Sequence, residues 1–303
     1  MDSMVNQKYA KIESETQTVS NLIQSLLIKY LYVMNSILNL KGKVALITGG
    51  AGVLGSNMAE VLAKQGVITG IMGLSMEEAE ATVARVVAVG GKAFAVKSNV
   101  LNKEDLEATR DFIMKKYGRL DILINAAGGN MPGATIGPDQ AIFEMQLAHL
   151  QKVLDLNIIG TMLPSQVFSE IFAKQKSGII INISSASAQR PLSRVVGYSA
   201  SKAAIDNFTK WMSVELAGKY GEGLRVNAIA PGFFIGEQNR ALLLNPEGGL
   251  TPRGEKIIEH TPMGRFGVPE DLDGVLLFLC SDMSKFITGV VVHVDGGFGA
   301  RSI

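Results

Sequence analysis

Lys43-Val44-Ala45-Leu46-Ile47-Thr48-Gly49-Gly50-Ala51-Gly52-Val53-Leu54-Gly55 is the stretch whose reading decides the fold. Its first six residues are an apolar run of strand length, glycines crowd the next seven, and Met58-Ala59-Glu60-Val61-Leu62-Ala63 continues in a helical pattern. Strand, glycine-rich turn and helix, in that order, let bare backbone approach a pyrophosphate lying on a helix N-terminus. The stretch predicts the first unit of a dinucleotide-binding sheet, with Gly49, Gly50, Gly52, Val53, Leu54 and Gly55 against the phosphates.

Strands and helices keep alternating beyond it. Strands are expected at Val67–Met72, Ala93–Lys97, Asp121–Asn125, Ile179–Ile183, Leu224–Ala230 and Val290–Val294, and helices at Met76–Val89, Lys103–Tyr117, Gln146–Gln175, from Tyr198 onward, and at Pro269–Cys280. Such alternation implies an α/β fold, a doubly wound parallel sheet of the Rossmann kind, in a single domain over residues 41–303. Strand ends should floor the cofactor: Leu74 and Ser75, then Asn99 and Val100, then Asn125, Ala126, Ala127 and Gly128. No Asp at the second strand end selects NAD and no Arg there selects NADP, so both remain open. The Gly- and Pro-rich loop 129–139, which includes Asn130, reads as one wall of a substrate pocket, and the irregular stretch 233–262 as its lid.

Ser184-Ser185-Ala186-Ser187-Ala188-Gln189-Arg190-Pro191-Leu192-Ser193-Arg194-Val195-Val196-Gly197-Tyr198-Ser199-Ala200-Ser201-Lys202 carries the chemistry. The apolar run Ile179–Ile183 delivers the Ser185 hydroxyl at a strand end. Tyr198 and Lys202, four positions apart, share a helix face. The lysine cation is expected to lower the phenol pKa and make Tyr198 a proton donor and acceptor.

Composition narrows the rest. With 29 Lys+Arg against 28 Asp+Glu, the chain lacks the basic excess that binds nucleic acid. Cys280 has no disulfide partner in the sequence, and His149, His260 and His293 lie far apart, so neither an oxidising compartment nor a metal site is expected. Residues 1–40 form an N-terminal extension. Its apolar run Leu22–Val33 is too interrupted to span a membrane and lacks signal-peptide flanks, so a cytoplasmic location is expected. Met34 is read as a candidate start of translation.

With these residues in place, the chain resembles the short-chain dehydrogenase/reductase family from about Leu40 to Ile303. The glycine turn, Asn125-Ala126-Ala127-Gly128, Asn157, Ser185, Tyr198, Lys202, Pro231-Gly232 and Asp295-Gly296-Gly297 occur in family order. The resemblance implies a catalytic set of Asn157, Ser185, Tyr198 and Lys202. In it Tyr198 is the acid/base, Ser185 bonds the reacting oxygen, Lys202 holds the nicotinamide ribose and Asn157 anchors a relay water. It also implies NAD or NADP as cofactor, further cofactor contacts at Pro231, Gly232 and Phe234, and a homotetramer packed through the long helices. The departures are Val53, Ala126 and Gly236, where the family usually has Gly, Asn and Thr.

Within the family, Gly128-Gly129-Asn130, Pro231-Gly232-Phe233-Phe234 and Gln238-Asn239-Arg240 are similar to fructuronate reductases, also called D-mannonate oxidoreductases. A sugar acid needs a cation for its carboxylate and amides for its hydroxyls. Arg240, with Gln238 and Asn239, is the expected provider; Arg194 and Arg190 compete, and Arg265 reads as structural. Another polyol or a 3-oxoacyl substrate stays open, as does a dinucleotide-sensing protein that turns nothing over.

Overall fold

The computed structural model describes residues 16–27, 38–137, 139–236 and 239–301. The chain divides into two units, Met1–Asn39 and Leu40–Ile303. In the first, residues 16–27 are helical, and the run Leu22–Val33 passes beyond Leu27 outside the described residues.

The second unit is a seven-stranded, all-parallel sheet in the order β3-β2-β1-β4-β5-β6-β7. The strands are β1 (Val44–Thr48), β2 (Ile68–Gly73), β3 (Lys92–Lys97), β4 (Ile122–Asn125), β5 (Gly178–Ile183), β6 (Leu224–Pro231) and β7 (Val291–Val294). Every residue of β1, β4, β5 and β6 is buried, as a sheet covered on both faces requires. The helices are α1 (Val53–Lys64), α2 (Met76–Ala88), α3 (Lys103–Tyr117), α4 (Leu147–Leu154), α5 (Gly160–Gln175), α6 (Val196–Tyr220), α7 (Arg240–Leu243), α8 (Pro252–His260) and α9 (Asp273–Cys280). Phe168 and Phe172 on α5 are fully buried and pack with Leu106, Ile113, Leu123 and Ile180.

Two expectations need correction. The single helix over Gln146–Gln175 is instead α4 and α5, joined by a π turn at Asp155–Ile159. A π turn adds one residue to the helical repeat, frees backbone groups and is frequent at functional sites. The stretch 233–262 is not irregular throughout, since it holds α7 and α8. Thr251 caps α8 by accepting the Gly254 N–H at 3.1 Å, and Pro252 follows at the first helical position.

Strand order reverses between β1 and β4, which opens a crevice at their carboxyl ends. In-register Asn125 and Asn182 tie the floor of that crevice. Asn125 Nδ2 donates to Asn182 Oδ1 at 2.8 Å, and Asn182 Nδ2 donates to Thr209 Oγ1 on α6 at 2.9 Å.

Candidate active site

The glycine turn is shaped for a ligand that touches backbone. A Cβ on Gly49, whose φ is 61°, would stand 2.8 Å from Ala127 Cα across the crevice, and one on Gly55 would meet the Gly49 carbonyl at 2.4 Å. Gly52 begins α1 with no side-chain cap, so amides of Val53 and Leu54 in its first turn have no intrahelical partner. Thr48 Oγ1 accepts the Ala126 and Ala127 N–H groups at 3.2 and 3.1 Å, holding the β4 end beside the turn. These residues fit a dinucleotide pyrophosphate.

The remaining expected cofactor contacts are placed unequally. Leu74 is exposed at the β2 end, while the Ser75 hydroxyl is committed to capping α2 through Glu78 N–H. Asn99 accepts the Leu101 N–H at 2.9 Å, and Val100 lies buried against Gly160. The Asn125 side chain belongs to the amide ladder under the floor. Gly232 approaches Asp295 too closely for any Cβ, and Phe234 is buried over Gly267.

The β5 end, the π turn and the start of α6 meet beside Gly128. A Cβ there would come within 2.7 Å of Asn157 Oδ1 and 3.3 Å of Lys202 Nζ. Asn157, fully buried in the π turn, accepts the Gly129 N–H at 3.1 Å and donates to the Gly129 carbonyl at 2.7 Å and to Val153 O at 2.8 Å. Lys202 is buried, donates to the Ile183 carbonyl at 2.8 Å and places Nζ 5.5 Å from the Tyr198 ring centre. Tyr198 lies in the first turn of α6, with Ser185 close enough to lower the pKa of its phenol. Ser185 also accepts the Ser187 N–H at 3.1 Å.

The electrostatics differ from expectation. Burial raises the Tyr198 pKa above the ordinary phenol value, and the opposing influence is the Ser185 hydrogen bond rather than Lys202. Burial also pulls Lys202 down to about 8, against the attraction of Asp206. In neutral solution the phenol therefore holds its proton ready to donate, beside an ammonium close to its titration point. Asp206, one helical turn beyond Lys202, accepts a short hydrogen bond from Ser184 Oγ. Burial raises its pKa, while Ser184, His293, Lys210 and Lys202 lower it. Sequence reasoning passed over Asp206, although its four-residue spacing from Lys202 was the available signal.

In the loop 129–137, Asn130 Nδ2 donates to Thr135 Oγ1 at 2.7 Å, leaving a buried Oδ1 with no partner among the described residues. Asn239 is spent within its own turn, donating to Phe234 O at 2.9 Å and accepting the Gly236 N–H at 2.8 Å. Arg240 is exposed, and Gln238 lies outside the described residues. Arg190 donates to the Phe298 carbonyl at 2.8 Å, and Arg265 grips Asp271 with two bonds. Arg194, with φ 75°, donates its Nε–H to Ile136 O at 2.8 Å. Among the described residues, no group of three His, Cys, Asp or Glu could hold a metal ion, and no helix is long and apolar enough to cross a membrane.

A crevice cut for a pyrophosphate, with a serine, a tyrosine and a lysine at its floor, defines a nicotinamide-dependent oxidoreductase. Comparison with known proteins agrees: the family model described as enoyl-(acyl carrier protein) reductase matches residues 50–299, and the chain belongs to the short-chain dehydrogenase/reductase family. It is 47% identical over 273 residues to the uncharacterized oxidoreductase UxuB of Bacillus subtilis, covering 87% of this chain and 97% of that one. A crystal structure from Haemophilus influenza with bound NAD, provisionally assigned as a D-mannonate oxidoreductase, superposes with a TM-score of 0.81 at 42% identity, covering 86% of this chain and 96% of that one. The 3-oxoacyl-[acyl-carrier-protein] reductase of Synechocystis is 35% identical over 260 residues, covering 85% of this chain and 97% of that one.

Proposed function

We propose that this protein reduces the keto group of a sugar acid, D-fructuronate, to give D-mannonate, and catalyses the reverse oxidation. The observation that carries the reading is the convergence of Ser185, Tyr198 and Lys202 beside Gly128 at the crevice floor. When bound, NADH or NADPH supplies the hydride. Tyr198, protonated at neutral pH, gives its proton to the forming alkoxide oxygen, and Ser185 hydrogen-bonds the same oxygen as charge develops there. The Lys202 ammonium supplies positive charge beneath the ring, while Asn157 fixes the Gly128-Gly129 backbone against which the reactants lie. One observation supports a polyhydroxylated acid as substrate: the similarity to the Haemophilus protein.

The test is a substrate panel with the purified protein. D-Fructuronate is expected to oxidise NADH or NADPH faster than neutral ketoses or 3-oxoacyl thioesters, and preference for a 3-oxoacyl thioester would replace this reading with the one the Synechocystis relative supports.

We also propose a homo-oligomer, a tetramer, packed through α5 and α6. A groove of about 910 Å³ between these helices is lined by Met162, Phe208, Trp211 and Tyr220, and Trp211 is 59% exposed. Apolar surface of this kind suits a second copy of the same chain. Light scattering of Trp211→Glu should show a smaller assembly than the parent. The lone Cys280, buried, supports work in the cytoplasm.

A further inference from the structure

The side of α6 that begins with Tyr198 continues as a row of bonds to the strand that delivers Ser185. Tyr198, Lys202, Asp206 and Thr209 follow one another at helical spacing and line one face. Three of them reach the end of β5. Lys202 Nζ donates to the Ile183 carbonyl at 2.8 Å, Asp206 Oδ1 accepts a short hydrogen bond from Ser184 Oγ, and Thr209 Oγ1 accepts from Asn182 Nδ2 at 2.9 Å. Residues 182–184 are thus each stitched to the same helix, directly before Ser185.

The Ser184–Asp206 bond is the stiffest of the three and lies nearest the reacting serine. The β5–β6 register ends at Ile183 opposite Ile229, and Ser184 adds one backbone bond, its N–H to Ile229 O at 2.7 Å. Ser185 follows in extended backbone, its hydroxyl accepting the Ser187 N–H. Ser184 and Asp206 are both buried, so water competes little for their bond. Lys202 reaches its carbonyl through a long stem with many rotamers, whereas serine and aspartate have few, so their bond sets a distance between strand and helix. A misplacement of about 1 Å at a reacting group costs roughly 100-fold in rate.

We propose that Ser184 is a positioning residue: its bond to Asp206 fixes the end of β5 against α6 and so sets where the Ser185 hydroxyl stands relative to Tyr198. The inference deepens the proposed chemistry and rests on it. Ser184 acts through Ser185 and touches no reacting atom.

The experiment measures reduction of whichever panel ketone the parent protein turns over fastest, at about pH 6.5, below the titration of Lys202. Ser184→Ala is expected to lower kcat by about 10–100-fold, with the NADH dissociation constant, read by nicotinamide fluorescence, within about twofold of the parent. Ser184→Thr keeps the hydroxyl and should recover most of the rate. Asp206→Asn loses the charge but keeps an acceptor oxygen for Ser184, so its kcat at this pH should stay near the parent value. The double variant Ser184→Ala/Asp206→Leu leaves no buried polar partner stranded, which restores folding, and should remain as slow as Ser184→Ala. The inference is overturned by a parent-like kcat in Ser184→Ala or in the double variant, since the bond would then serve stability alone. It is equally overturned by an Asp206→Asn as slow as Ser184→Ala, which would assign the effect to charge. Ser185→Ala tests the underlying reading: if it keeps the parent rate, or if the parent reduces no ketone of the panel, that reading fails and takes the inference with it. A slow Ser185→Ala beside a normal Ser184→Ala fails the inference alone.

Discussion

The crevice floor and the lid solve opposite problems. On the floor, Asn157, Lys202 and Asn182 are buried with their polar atoms tied to backbone or to neighbouring side chains, so the geometry around Tyr198 is held before any substrate arrives. In the lid, Asn239 and Thr251 serve the lid's own turns, while the guanidiniums of Arg240 and Arg253 make no bond among the described residues. Satisfied buried networks are rigid, and groups with bonding capacity to spare discriminate between ligands. On the function proposed here, the difference assigns the chemistry to the floor and substrate choice to the stretch 233–262, so substitutions in the two regions should fail in different ways.

The sharpest break should come on the floor. Tyr198→Phe removes the proton donor and is expected to lower turnover by about 10²–10⁴-fold while NADH still binds, as read by single-turnover kinetics and fluorescence titration. Next in size is Asn157→Ala, which leaves the Gly129 N–H and carbonyl without their partner. A loss of roughly 2–3 kcal/mol of stability, seen in denaturant unfolding, should accompany reduced turnover.

Asp206→Asn probes how the floor is tuned. In the parent protein the rate of ketone reduction should fall as pH rises past about 8, where Lys202 loses its charge. Asp206 raises the Lys202 pKa, so its neutralisation should move that alkaline limb to lower pH. A limb that stays in place would separate Lys202 from the pH dependence. The smallest effect is expected in the lid: Arg240→Ala, at an exposed position, should change stability by no more than ~0.5 kcal/mol and leave the preference for D-fructuronate over neutral ketoses nearly as it was. A large fall in that preference would return the carboxylate to Arg240.

Much of the floor was legible in the chain because it is written in short-range patterns. The run Val44–Thr48 followed by glycines needs no tertiary information to be read as strand and phosphate turn, and the four-residue spacing of Tyr198 and Lys202 survives any helix start within two residues of Val196. The π turn at Asn157 was not legible, since one extra residue in a helix leaves almost no trace in apolar periodicity. Thr251-Pro252 falls in the stretch that the sequence marks as irregular, although a threonine cap followed by proline at the first helical position is also how a helix begins. The sign of the Tyr198 shift was missed because burial of the phenol depends on what packs over it, and a spacing rule carries no desolvation.

The central claim is that hydride and proton meet at one carbonyl above Tyr198. The most direct measurement follows NADH deuterated on the transferring face as it reacts with D-fructuronate, by NMR of the product. The account predicts deuterium on the new carbinol carbon of D-mannonate with the parent protein, and label transfer slowed by orders of magnitude with Tyr198→Phe. Deuterium absent from that carbon, or transferred at the parent rate by the phenylalanine variant, would contradict it.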